Sequence, residues 1–180
     1  MLDSVWMSLD RDQYARARGF EPEEWDRFGI RAAGNHIIIP TLGRGGVWYE
    51  RVHRPNGQPR YETPAGEEAH LYNPQGLGPH SPQIWIAEGE FDCLSLVCAG
   101  VPAVAVLGAG AFNRHWQLLF AGAEIVIAFD PDQAGRSHAE KLAQLWPSGQ
   151  VSFFDPSPHG DLNEWFAADR AGFTEAVNSW

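Results

Sequence analysis

With 180 residues and 44% hydrophobic content, the chain can bury one main core and carry a smaller lobe beside it, but it is too short for a string of domains. A formal charge of −10 argues against general, non-specific nucleic-acid binding by the whole surface, because phosphate neutralisation drives that binding. There is no apolar run of membrane-spanning length, and the acidic start MLDSVWMSLDRDQ has no basic or apolar leader pattern, so the expectation is a soluble cytoplasmic protein without a membrane partner.

The charge is unevenly spread. Residues 1–80 carry nine arginines against eleven acids, and residues 81–180 four basic residues against twelve acids, so the acidic excess belongs to the second half. Twelve of the thirteen basic residues are arginine, which suits bidentate phosphate contacts or reflects base composition. Cys93 and Cys98 lie five apart in an apolar helical pattern, which fits buried thiols and neither a zinc site nor a disulfide framework.

In chain order, Ser8 can cap a helix through DQYARARG that Gly19 stops, and Pro22 opens a second helix, EPEEWDRFG, that Gly29 stops. Trp25 and Phe28 in this hairpin read as packing residues. From Asn35 the pattern turns to β: HIIIP, GGVWYERVH after the turn LGRGG, then RPNGQ and PRY, an antiparallel meander. Arg44, Arg51, Arg54 and Arg60 are strung along it, either as a solvated face or as a binding face. LGRGG has neither dinucleotide-loop spacing nor the Lys-Ser/Thr of a P-loop, and reads as a hairpin turn. The aperiodic stretch 63–82 reads as a linker, so the expected organisation is a small α+β lobe over 1–80 and an α/β lobe over 81–180.

The second lobe alternates: strand 84–88, helix 90–100, strand 102–107, a helical stretch 112–121, strand 124–129, helix 133–146, strand 150–154, and helices near 161–168 and 171–178. This grammar predicts a parallel, Rossmann-like sheet with helices on both faces. Three acidic islands, AEGEFD, AFDPDQAGR and HGDLNEW, fall at strand ends or the turns that follow. Parallel strands put Glu88 and Asp130 on the same carboxyl edge, where open α/β folds bind ligands. Asp130 and Asp132 flank Pro131 and can face one cation, and Asp161 with Asn163 closes the next unit. Hard oxygen donors at this density suit Mg²⁺ or Mn²⁺. Asp92 serves either this site or the helix dipole, and Glu90 could simply face solvent.

The set EGEFDCLSL, VAVLGAG, IVIAFDPDQAGR and GDLNE resembles the Toprim domain of primases, topoisomerases and certain nucleases, over about residues 83–168. Within it, GDLNE and the LGAGA turn are similar to bacteriophage primase-helicases, and YARARGFEPEEWDRFGI, HIIIP, GGVWYERV and PRYETP resemble the amino-terminal lobe of the primase polymerase core. The resemblance implies a metal ligand or general acid/base at Glu88, a metal-binding pair at Asp130 and Asp132, and a late acidic ligand at Asp161. It further implies nucleotide or template contacts for Arg44, Arg51, Arg60 and Asn163, with Arg60 standing where primases usually carry lysine.

The implied activity is metal-dependent primer synthesis on single-stranded DNA from nucleoside triphosphates. The chain has no zinc-binding pattern and no Walker A sequence, and Glu62, Glu67 and Glu68 make acidic a loop that is usually basic in primases. A helicase or template-recognition subunit in trans is therefore expected. Hydrolysis of DNA or RNA by the same carboxylates is the competing activity, and a binding module without turnover the competing class. Eight tryptophans could stack on bases, but Trp6, Trp25, Trp85, Trp116 and Trp146 fall in apolar patterns that suit packing. A topoisomerase would need a tyrosine nucleophile, whereas Tyr14, Tyr49, Tyr61 and Tyr72 read as packing or strand residues.

Overall fold

The computed structural model describes residues 9–43, 45–78, 81–107 and 112–180. Ser8, Trp6, Arg44 and the glycine-rich turn at 108–111 lie outside them. Helix α1 (Arg11–Ala17) is capped by Asp10, whose carboxylate accepts from the Gln13 amide at 3.0 Å. Helix α2 (Pro22–Arg27) starts with proline and a Glu21/Glu24 capping box. Between them Gly19 has φ +81°, and a Cβ there would lie 2.7 Å from the Ala167 backbone. Only glycine suits both the turn and this close approach.

Four antiparallel strands follow in the order β1 (Arg31–Ala33), β2 (His36–Gly43), β3 (Gly46–His53) and β4 (Tyr61–Glu62). The meander is as expected, with β1 added ahead of it across a turn at Gly34. Three residues are too few to show an alternation, and β1 exists because β2 supplies its partners.

The second sheet has the order β5 (Leu71–Tyr72), β7 (Ala103–Val106), β6 (Gln83–Ala87), β8 (Glu124–Ala128), β9 (Val151–Phe153). Strands β6 to β9 are mutually parallel, and β5 joins the edge antiparallel to β7. The stretch 63–82 is therefore not all linker. Leu71 and Tyr72 are buried against β7, and the buried Asn73 side chain donates to the Ala103 carbonyl at 2.9 Å.

Alternation along the central strands serves two cores. Ile84, Ile86, Val104, Val106, Ile125 and Ile127 face α4 (Gln133–Ala143) and a 3₁₀ helix at Arg114–Phe120. Trp85, Ala87, Ala103, Ala105, Val126 and Ala128 face the side with α3 (Glu90–Cys98), α5 (Leu162–Ala168) and α6 (Arg170–Asn178). Full burial of an Ile or Phe side chain stabilises by about 1.5–3 kcal/mol, so these faces fix the strand register.

The core on the α3 side runs without a break into the first lobe. Phe20 packs on Phe166 with ring centroids 5.1 Å apart, and Trp25 stacks on Phe91 at 5.6 Å. Ile37 and Ile39 belong to the same cluster. The two lobes thus share one interior. Cys93 is buried and Cys98 half-buried, and both are free thiols. Among the described residues no helix is long and apolar enough to cross a membrane.

Candidate active site

Strand β6 ends at Ala87, and Glu88 and Gly89 lead straight into α3. A Cβ on Gly89 would meet the Asp92 carboxylate at 2.7 Å, so glycine leaves room for Asp92 to fold back towards the strand ends. One strand over, β8 ends at Ala128, and Asp130 follows at the same sheet edge. Gly135 in the first turn of α4 lies directly against Asp130, where a Cβ would stand 2.3 Å from the Asp130 carbonyl oxygen. The DxDxAG spacing is thereby explained: the helix can start this close to Asp130 only over a glycine.

Glu88, Asp92, Asp130 and Asp161 line one cavity of about 300 Å³. Across it stand Arg18 of the segment after α1, Arg51 of β3, and Arg60 and Tyr61 at β4. The fold therefore faces a carboxylate edge with guanidinium groups from the first lobe. Asp130 is pushed up to about 6 by burial and by the nearby Glu88, Asp161 and Asp132 carboxylates. Asp92 is pushed up to about 8 by burial and by Asp161 and Asp130. Both shifts express one fact: negative charge is crowded where water is scarce.

The predicted residues divide by what they touch. One Glu88 oxygen lies 3.3 Å from His138 Nδ1, and the other, Oε2, is buried without a partner among the described residues. Asp161 caps α5 by accepting from the Glu164 amide at 2.7 Å while lining the cavity. Asp132 caps α4 by accepting from the Gly135 amide at 2.7 Å, and it is exposed at the rim rather than part of the cavity wall. Arg60 lines the cavity, Arg54 turns away to pair with Glu62, and Arg44 is outside the described residues.

Two readings from sequence need correction. Glu90 does not face solvent: it is 1% exposed and pairs with Arg51 Nη1 at 2.5 Å. Burial raises its pKa and the Arg51 charge opposes that rise. Arg51 is consequently a clasp between the lobes as well as part of the cavity wall, and its guanidinium lies 4.9 Å over the Tyr61 ring. Asn163, expected to contact nucleotide or DNA, is 3% exposed and has its side chain fully engaged. It accepts from Arg18 Nη1 at 2.8 Å and donates to the Arg18 carbonyl at 3.1 Å and to Ser95 Oγ at 3.0 Å. Its backbone amide donates to Asp92 at 3.1 Å. Asn163 holds the site together from beneath.

Sequence reasoning missed Arg18, His138 and the pairing of half-buried Tyr14 with buried His53. Arg18 also donates to the Tyr14 hydroxyl at 3.2 Å, and that hydroxyl lies 2.9 Å from His53 Nε2. Burial and then the Arg18 charge push His53 down to about 3, so its ring is neutral. The only signal for Arg18 was its place in the predicted helical hairpin that also carries Trp25 and Phe28, and that pattern pointed to packing.

The donor set fits a hard divalent cation. Among the described residues Glu88 Oε2 has no partner, and the crowded carboxylates would each be relieved by positive charge. Among the described residues no three His, Cys, Asp or Glu side chains converge to cage a single ion. An open set of this kind suits Mg²⁺, which keeps several waters and completes its shell with substrate phosphates.

Fold and site together define a two-lobed α/β protein with an acidic centre at the carboxyl edge of its parallel sheet. The chain belongs to the Toprim-like family, whose model matches residues 85–166. It is 34% identical over 107 residues to the "Gene 57 protein" of Mycobacterium phage D29, an overlap of 59% of this chain and 68% of that protein. Among solved structures it is similar to the primase fragment of the bacteriophage T7 primase-helicase protein, with TM-score 0.74 and 23% identity over 91% of this chain and 72% of that one. A DnaG primase catalytic domain bound to ssDNA gives TM-score 0.73 and 20% identity, over 93% and 69%. The RNA polymerase domain of Mycobacterium tuberculosis DnaG gives 0.71 and 17%, over 93% and 73%. These likenesses span both lobes, so the fold of the primase catalytic core extends beyond the family match.

Proposed function

We propose that this chain is a primase-like core that joins nucleoside triphosphates on a single-stranded DNA template. The observation that carries this reading is the single cavity in which Glu88, Asp92, Asp130 and Asp161 face Arg18, Arg51 and Arg60. A growing primer end and a triphosphate need opposite things from a protein: carboxylates to hold cations, and fixed cations to hold phosphates. This cavity supplies both at once.

Glu88, Asp130 and Asp161 would hold Mg²⁺ or Mn²⁺, with Asp132 at the rim and Asp92 behind them. Such ions, when bound, stabilise the attacking and departing oxygens of an in-line phosphoryl displacement. Arg60, exposed at the mouth, and Arg18, half-buried, would bind the triphosphate tail, with Arg geometry favouring bidentate contact. Arg51 is fixed by Glu90 and would present its charge without a reorganisation cost. The arginines lie on the first lobe and the carboxylates on the second, so the reacting ends would be brought together by the packing of the lobes. A helicase or template-recognition subunit in trans would deliver the strand, in keeping with the acidic surface.

The test is primer synthesis on single-stranded DNA with labelled nucleotides and Mg²⁺ or Mn²⁺, wild type beside Glu88→Gln. Short oligomers made by the wild type and lost in the variant are expected. Degradation of the strand without nucleotides would replace this reading with hydrolysis.

A further inference from the structure

We propose that His138 is a positioning residue of the acidic centre, pinning one oxygen of Glu88 so that the other stays directed at a cation. The inference rests on the cation-binding reading of Glu88. The two residues come from different elements: Glu88 follows β6, and His138 lies in α4, which follows the neighbouring β8. Pairing of Ala87 with Ala128 puts these two strand ends level, and α4 packs back against one face of both strands through Ala139 and Leu142. His138 Nδ1 then stands 3.3 Å from Glu88 Oε1, with both side chains about a quarter exposed.

A carboxylate only accepts, so Nδ1 carries the proton in this contact. The hydrogen bond occupies Oε1 and restricts the carboxylate, while Oε2 is buried and has no hydrogen-bond partner among the described residues. An unpaired buried oxygen costs free energy unless something outside the chain satisfies it. A cation does so, and a carboxylate already held through its other oxygen loses less freedom on binding it. Nothing in the spacing of DPDQAGRSHAEK marks His138 for this task. It is the α4 fold-back that brings it to Glu88.

The experiment is a Mn²⁺ titration of the whole chain followed by electron paramagnetic resonance of free Mn²⁺, with melting curves for every variant. His138→Ala is expected to weaken Mn²⁺ binding about tenfold or more, as loss of an outer hydrogen bond to a ligand does elsewhere. His138→Asn keeps an N–H near the position of Nδ1 and is expected to restore most of the affinity. His138→Leu replaces the alanine variant should that one melt early. If His138→Ala binds Mn²⁺ as wild type does while Glu88→Gln has lost it, the positioning role is overturned and the cation site stands. Equal weakness in the alanine and asparagine variants also overturns it, since the N–H would then not be the active feature. If Glu88→Gln binds as wild type does, the cation reading falls and this proposal falls with it.

Discussion

Arg51 and Glu90 form a 2.5 Å ion pair across the boundary between the lobes, with side chains only 14% and 2% exposed. Removing one partner of a buried pair leaves the other uncompensated, typically at about 3–5 kcal/mol. Arg51→Met is therefore expected to destabilise the chain by about that amount at pH 7, and Arg51→Met with Glu90→Leu to recover most of the loss. Denaturant unfolding of the four proteins in this cycle measures the coupling. Additive losses would show that the pair is not a unit.

Gly135 bears on Asp130 through space rather than through its own flexibility. Gly135→Ala would place a methyl group 2.3 Å from the Asp130 carbonyl oxygen, so either the first turn of α4 or Asp130 must shift. Overpacking of this kind costs about 1–3 kcal/mol. Primer synthesis is expected to fall with the melting temperature, whereas Ala134→Ser, one residue away and exposed, should change neither. Full activity in Gly135→Ala would mean that Asp130 need not be held where it is.

Asn163 spends its whole side chain on Arg18 and Ser95. Asn163→Ala would leave the Arg18 carbonyl and guanidinium without these partners, a loss of about 1–3 kcal/mol in urea unfolding. Because Arg18 lines the cavity, weaker binding of a fluorescent nucleoside triphosphate is expected in the same variant. Wild-type nucleotide affinity in a destabilised variant would confine Asn163 to stability.

The carboxylates predict a pH signature. Asp92 and Asp130 are raised to about 8 and about 6, so the folded chain keeps protons that the unfolded chain releases above about pH 4. Without a cation, their contribution to stability is lost as pH rises through 6 and then 8. A divalent cation substitutes for those protons and no longer competes with them at high pH. The Mg²⁺-induced rise in melting temperature is expected to be larger at pH 8 than at pH 6, and smaller at both in Asp130→Asn. An equal or larger rise at pH 6 would contradict it.

Local chemistry made much of the molecule legible from the chain alone. Strand-to-helix transitions at Glu88 and Asp130 were readable because alternation, helix caps and glycine turns act within a few residues. The two-residue strand β5 and the three-residue β1 were not, because their pairing partners lie outside any local window. Arg18 and Asn163 are 145 residues apart, and Arg51 and Glu90 are 39 apart. Period-2 reasoning could say which side of β3 carried Arg51, but not what would cover it.

What the sequence determined by itself was the α/β class, the meander before it, and the carboxylates at one sheet edge, since backbone preference and hydrophobic period are properties of short segments. Tertiary structure alone decided that the first lobe closes over that edge, that Glu90 is buried on Arg51, that Asn163 supports Arg18 and Asp92, and that His138 reaches Glu88. Each of those depends on two distant segments meeting once an apolar core has formed between them. Phe20, Trp25, Phe91 and Phe166 supply that core, and the polar contacts of the site follow from where they pack.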